Sequence, residues 1–192
     1  MLLCVESMLR EEKLMRVITG TARGKRLEAP VGTDVVRPTG DKVKEAIFSS
    51  IQFDIENSVV LDLFAGSGQL GIEALSRGAR FAYFIDCVPS SCELIKRNLS
   101  SCKFSDVAKV YRADYSAFLM GTEEKFDIAF LDPPYNADFI DDALMAVSKK
   151  MKDWGIIICE HADKVNVTDL EGFSRKDKKY GKTMVSVFRK EA

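Results

Sequence analysis

The chain has 192 residues, 46% of them hydrophobic and 30% charged, with a formal net charge of −1. That length suits one hydrophobic core with at most a small appendage, and the balance excludes a disordered or fibrous chain. No apolar run approaches the ~20 residues of a membrane helix, the N-terminus lacks the pattern of a signal peptide, and five cysteines without disulfide-like spacing read as reduced, so a cytoplasmic location is expected.

Residues 1–14 are mixed in character, and a strand-like pattern begins at Met15-Arg16-Val17-Ile18. A translation start at Met15 is therefore expected, with 1–14 a non-native or disordered extension. Residues 16–27 read as a short hairpin with Gly20 and Gly24 near its turns and Arg23, Lys25 and Arg26 clustered on it. Arg37-Pro38-Thr39-Gly40-Asp41 is a turn into a helix capped by Asp41 or Thr39. Its buried stripe is expected from Val43, Ala46, Ile47, Ser50 and Ile51, leaving Lys42, Lys44 and Glu45 facing outward or toward a ligand. Residues 15–57 are thus expected to form a basic appendage, and 58–192 the main domain.

Strands and helices then alternate. Strands are expected at 58–64, 80–86, 109–112, 126–131 and 155–160. Helices are expected at 69–77, from Pro89 to about 98, and at 137–150, with a short helix or turn at 115–120. Strands at 173–180 and 183–189, joined by Gly181-Lys182, form an antiparallel hairpin at the sheet edge. Strict alternation indicates an α/β fold with a parallel sheet covered by helices on both faces.

Charge is unevenly spread. Residues 13–44 hold eight basic and three acidic side chains, and residues 174–192 hold seven and two, so each end is +5 and the remainder −11. Two basic ends fit a polyanion partner, or simply a solvated surface.

The organising stretch is Val59-Val60-Leu61-Asp62-Leu63-Phe64-Ala65-Gly66-Ser67-Gly68, a strand running into a glycine loop. Gly66, Gly68 and Gly71 match a dinucleotide fingerprint, which alone is weak. Asp62 inside the strand would repel a pyrophosphate and attract a cationic ligand such as S-adenosylmethionine. Asp86 ends the second strand, where a carboxylate can accept ribose hydroxyls. Asp114 follows the third, where an acid can accept from an adenine amine. Helix capping or turn formation is the competing role for both. Asp132-Pro133-Pro134-Tyr135 follows the fourth strand. Its prolines stiffen the loop. Asp132 and the Pro133 carbonyl present two acceptors for the N–H groups of a conjugated amine, aiming its lone pair at a methyl group, and Tyr135 offers a stacking face. No metal is needed, and with His161 the only histidine and no C-x-x-C pair, none is expected.

These motifs resemble a class I, Rossmann-like methyltransferase, and more narrowly the RsmD family, which methylates the exocyclic N2 of a guanine in bacterial 16S rRNA. The resemblance runs from Met15 to the end. It is carried by Arg23–Arg26, Arg37-Pro38-Thr39 with Asp41, the glycine loop, Asp132-Pro133-Pro134-Tyr135, and Tyr180-Gly181. It implies a mostly parallel seven-stranded sheet. It implies that Asp132, Pro133, Pro134 and Tyr135 hold the guanine, guanine 966 in conventional rRNA numbering. It places Asp62, Phe64, Ala65, Gly66, Ser67, Gly68, Asp86, Asp114 and Tyr115 around S-adenosylmethionine. Arg23, Lys25, Arg26, Arg37, Thr39, Lys42, Lys44, Lys179 and Tyr180 would meet 16S rRNA or the assembling small subunit, the protein acting as a monomer away from membranes. Lys42 and Lys44 stand where the family carries arginine, which keeps the charge and loses the bidentate fork. Gln69 stands where a small residue is expected.

Competing readings are an N6-adenine DNA methyltransferase, a protein glutamine methyltransferase, a nicotinamide oxidoreductase, and a non-catalytic RNA-binding assembly factor. Three further features have structural readings: His161 as a surface or capping residue, Trp154 as an anchor of the turn into the fifth strand, and Lys176, Lys178 and Lys179 as protection of an edge strand.

Overall fold

The computed structural model describes residues 15–30, 40–133 and 139–191. The chain forms α1 (Asp41–Ser50), β1 (Val59–Leu63), α2 (Gln69–Ser76), β2 (Phe81–Asp86), α3 (Pro89–Cys102) and β3 (Ala108–Arg112). It continues through α4 (Tyr115–Gly121), β4 (Phe126–Leu131), α5 (Ile140–Ser148), β5 (Met151–Ala162), β6 (Phe173–Tyr180) and β7 (Thr183–Lys190). The sheet order is β3-β2-β1-β4-β5-β7-β6. β1 to β5 are parallel, and β7 lies antiparallel between β5 and β6. This is the expected mostly parallel sheet with its C-terminal hairpin, β6 being the edge.

Alternation along the strands sends side chains to two cores. Val60, Phe84, Ile128, Phe130 and Ile158 pack under α1, α2, α3 and the N-terminal hairpin. Leu61, Leu63, Ile85, Ala129, Leu131 and Ile157 pack under α4 and α5. Asp62, between Leu61 and Leu63, points into the first of these faces. After β1 the chain builds outward through β2 and β3, then returns to place β4 on the other side of β1. That reversal opens a crevice at the carboxyl ends of β1 and β4.

Several local expectations are corrected. The buried face of α1 is Lys44, Ile47 and Phe48, with Ile51 just beyond, whereas Ser50 is exposed and Val43 and Ala46 only half-buried. Its N-cap is Gly40, with no side-chain cap; Asp41 lies in the first turn and pairs with Arg16 at 3.3 Å. Pro89 opens α3 as expected, and the helix continues to Cys102. β5 starts at Met151 rather than 155 and carries a register irregularity against β4. Trp154 sits there with φ +65° and is 71% exposed, so it anchors nothing: the irregular backbone turns its side chain outward. His161 is buried rather than at the surface, because β7 covers the end of β5. Its Nδ1 donates to the Ala162 carbonyl at 3.0 Å and its Nε2 lies 2.9 Å from Ser186 Oγ.

The N-terminal hairpin pairs Arg16 with Arg26 and is seated on α2, all eight residues of which are buried. Glu73 of α2 is wholly enclosed. Its Oε2 accepts from the Ile18 N–H at 2.7 Å, and its Oε1 accepts from the Thr19 N–H at 3.0 Å and Arg77 Nε at 2.8 Å. Lys44 Nζ lies 3.7 Å from the same carboxylate and donates to the Arg16 carbonyl at 2.6 Å. Lys44 is therefore fully buried and not a nucleic-acid contact, correcting its expected role. Burial holds its pKa below the usual lysine value, with Glu73 opposing. Ser76 takes a further N–H from Ala22 and donates to the Thr19 carbonyl. The approach is close enough that a Cβ on Gly20 would fall 1.7 Å from the Ser76 carbonyl oxygen.

Glu73→Gln should cost about 3–5 kcal/mol in urea denaturation, because it leaves the Lys44 ammonium buried without its counter-charge. Adding Lys44→Met should recover part of that loss.

Candidate active site

The glycine loop is held by two carboxylates. Asp62 is 2% exposed, and its Oδ2 accepts from the Gly71 N–H at 2.8 Å. Asp86 accepts from the Gly66 N–H through Oδ2 and the Val88 N–H through Oδ1, each at 2.8 Å. The Ala65 N–H goes to the Ile85 carbonyl at 3.1 Å and the Gly68 N–H to the Ala65 carbonyl at 2.6 Å. Four loop and helix-start donors are thus satisfied internally, two of them by acids. A phosphate-binding loop needs such donors pointed at its ligand. This one has turned them inward and shows an acidic face, which disfavours a pyrophosphate and with it the nicotinamide reading.

Close packing sets the residue types. Gly66 and Gly68 have φ +54° and +76°. A Cβ on Gly71 would lie 2.4 Å from Phe84 Cε1 and 3.1 Å from Asp62 Oδ2, so a side chain there would break the Asp62 contact. Phe64 is itself left-handed at φ +64°, a conformation costing on the order of 1 kcal/mol outside glycine. It directs the ring onto Tyr115 and Phe139, each with its centroid 5.5 Å away, while Tyr115 and Phe139 stack at 5.4 Å and 20°.

The crevice between β1 and β4 is lined by Asp62, Phe64, Ala65, Gly66, Ser67 and Asp132, all expected there, and by Met15, Pro30, Gln69 and Leu70, which were not. Pro133 is buried directly behind Asp132. Asp86 sits beside this crevice at the end of β2. Asp114 caps α4, its Oδ1 accepting from the Ser116 N–H at 2.9 Å and the Ala117 N–H at 3.4 Å. The competing capping and turn roles are thus present for both acids, and each retains lone pairs for a ligand. Pro134, Tyr135, Arg37 and Thr39 lie outside the described residues, as do residues 1–14. Among the described residues no group of three or more His, Cys, Asp or Glu is placed to hold a metal.

Of the expected RNA contacts, Arg23, Lys25, Arg26 and Lys42 are exposed and have no ion-pair partner among the described residues. Lys179 is paired with Asp163 at 2.9 Å, and Tyr180 is half-buried under Lys178, whose Nζ lies 5.6 Å from the ring. Lys176, Lys178 and Lys179 are exposed on the edge strand β6.

Two further residues were not foreseen from the sequence. Phe139 stacks in the aromatic trio, and its only signal was an aromatic side chain just past Asp132-Pro133-Pro134-Tyr135. Asn98 is 1% exposed on α3. Its signal was a polar residue inside the apolar stripe Leu94, Ile95, Leu99 and Cys102.

A sheet of this order with an acid-braced glycine loop at the β1/β4 crevice defines a class I methyltransferase fold. A family model, Conserved hypothetical protein 95, matches residues 15–189. The chain belongs to this family, the RsmD family of methyltransferases. It is 38% identical over 184 residues to YlbH of Bacillus subtilis (strain 168), covering 92% of this chain and 99% of the relative. It is 38% identical over 133 residues to ribosomal RNA small subunit methyltransferase D of Haemophilus influenzae, covering 68% of each. The solved structure of yhhF from Escherichia coli superposes with a TM-score of 0.83 at 30% identity, covering 93% of this chain and 99% of the other.

Burial pushes the Asp62 pKa up to about 7, with the charge of Asp86 adding and the Gly71 N–H opposing. The folded protein therefore holds a proton that the unfolded chain releases near the ordinary value of 3.8, and stability falls as pH rises between the two. Asp62→Asn keeps an oxygen for Gly71. It should match the wild type in urea near pH 4 and exceed it near pH 8, by on the order of 4 kcal/mol.

Proposed function

We propose that the protein transfers a methyl group from S-adenosylmethionine to the exocyclic N2 of a guanine in 16S rRNA, guanine 966 by the family resemblance, acting as a cytoplasmic monomer on the RNA or the assembling small subunit. The carrying observation is the acidic, donor-satisfied glycine loop facing Asp132 across one crevice. The residues fit the cofactor. Asp62 has one oxygen tied to Gly71 and lines the crevice, suited to a cationic ligand. Phe64, Tyr115 and Phe139 offer flat apolar surface for an adenine, with Asp86 and Asp114 at its polar edges. The bound cofactor supplies an electrophilic methyl on a positively charged sulfur.

The chain's own part is orientation. Asp132 and the Pro133 carbonyl accept the two N–H groups of the amine, so that its lone pair turns out of conjugation toward the methyl. Asp132 stabilises positive charge as it develops on nitrogen. Pro133, buried and lacking an N–H, keeps its carbonyl direction fixed. Pulling a guanine out of structured RNA costs a few kcal/mol, offset by phosphate contacts from Arg23, Lys25 and Arg26. The family membership and the name of the Haemophilus influenzae relative support a ribosomal substrate.

Labelled cofactor should be offered with small subunits, naked 16S rRNA and duplex DNA, and the modified nucleoside identified by mass spectrometry. N2-methylguanine in rRNA is expected. N6-methyladenine in DNA would replace the substrate, and no transfer to any acceptor would favour a binding protein. Asp132→Ala should lower turnover by at least about a hundredfold with binding of S-adenosylhomocysteine nearly unchanged. Converting Arg23, Lys25 and Arg26 together to Gln should reduce the slope of log affinity against log salt by about 2–3.

A further inference from the structure

The first turn of α2 closes through the Ile72 N–H onto the Gly68 carbonyl at 2.9 Å, and Gly71, the third residue of the helix, has an N–H with no acceptor within it. That Gly71 N–H is taken by Asp62 Oδ2, and the Ser67 carbonyl, just ahead of the helix, accepts from Asn98 Nδ2 at 3.0 Å. The same Nδ2 donates to the Glu28 carbonyl at 3.1 Å, and Asn98 Oδ1 accepts from the Glu28 N–H at 2.8 Å. One buried amide thus pairs with both backbone groups of Glu28 and, at once, with the middle residue of the glycine loop. Asp62 and Asn98 brace one loop from two sides: the acid takes the Gly71 N–H, and the amide takes the Ser67 carbonyl.

Glu28 lies at the open end of the N-terminal hairpin. The Leu27 N–H donates to the Met15 carbonyl at 2.8 Å, and the Ser67 hydroxyl donates to Met15 Sδ at 3.6 Å. Met15 and Pro30 both line the crevice. Arg23 stands near the turn, five residues or at most roughly 16 Å of chain from Glu28, and Lys25 and Arg26 follow it along the strand that leads to Glu28, all three exposed. A single short element therefore presents cations along one strand and walls the crevice at its open end.

We propose that Asn98 is a positioning residue for the methyl donor, and that through it RNA engaged on the basic hairpin tightens the donor crevice. This rests on the function proposed above. RNA that holds the hairpin restrains Glu28, Met15 and Pro30, and Asn98 passes that restraint to Ser67. Linkage requires the converse too: bound donor tightens RNA by the same factor. Asn98→Asp is the sharpest variant. It keeps an acceptor for the Glu28 N–H and replaces the amide donor with an oxygen facing two carbonyls.

The test is titration calorimetry of S-adenosylhomocysteine into the full chain, wild type and Asn98→Asp, with and without saturating 16S rRNA transcript, with melting temperatures alongside. In the wild type, RNA should tighten the ligand at least about fivefold. In Asn98→Asp, ligand affinity should fall at least about tenfold, RNA affinity should stay within about twofold, and the RNA effect should vanish. A merely structural Asn98 would lower the melting temperature and leave the ratio with and without RNA intact. Wild-type protein that binds both ligands with no mutual effect overturns the coupling even if the variant does not fold. Wild-type protein that binds neither overturns the proposed function itself.

Discussion

The bond from the Gly71 N–H to Asp62 is the contact on which the site depends. A carboxylate in the interior of a parallel strand is an expensive group, tolerated because it has a hydrogen-bond partner and a polar crevice in front of it. Its consequences spread outward. Residue 71 must be glycine, since a Cβ would strike Phe84 and crowd the acid. A donor that the helix itself leaves unpaired is taken by the acid, and the neighbouring Ser67 carbonyl is held by Asn98 on α3. The loop then presents acid rather than a cradle of N–H groups. A fold shared with dinucleotide-binding proteins is in this way suited to positive charge, by one side chain and the loop it braces.

Helix α2 has two tasks, which is why all eight of its residues are buried. Its start forms the donor loop. Its later residues, Glu73 and Ser76, take backbone groups of the hairpin. Hydrogen bonding here replaces apolar burial as the docking device, because a two-stranded hairpin of this size has little hydrophobic surface and would be marginal alone. Met15, Val17 and Leu27 supply what apolar contact there is, joined to the same core as Ile47 and Phe48. The appendage and the catalytic sheet thus share a core and a buried charge cluster, and a disturbance in either is felt at the helix that starts the loop.

The alternation of strands and helices was legible because apolar runs and helical stripes are local signals. Asp62, Asp86 and Asp132 were legible for a different reason: an acid at the end of a strand or inside it has few cheap explanations. What escaped depended on partners far away in sequence. Lys44 reads as a solvated cation until Glu73, 29 residues on, is seen beneath it. His161 reads as a surface residue because only the placement of β7 beside β5 encloses it. Asn98 broke an apolar stripe, but nothing local says that its partners are the backbones of Glu28 and Ser67. Trp154 reads as an anchor of the turn into the fifth strand, and an irregular strand start turned it outward.

The charge asymmetry along the chain also resolves into something more specific. Many of the cations at its two ends are already committed: Lys44 to Glu73, Arg16 to Asp41, Arg175 to Asp177, Lys179 to Asp163 and Arg189 to Asp54. Three on the hairpin have no ion-pair partner among the described residues. The crevice beside them is acidic through Asp62, Asp86 and Asp132, so a polyanion drawn to the hairpin is repelled from the site it must serve. Only the uncharged part of a nucleotide, its base, enters without that penalty. On the proposed function, opposite fields set side by side would hold phosphates on the hairpin and leave the crevice to a base and a cation. The protein would then separate backbone from base electrostatically before any specific contact to the base is made.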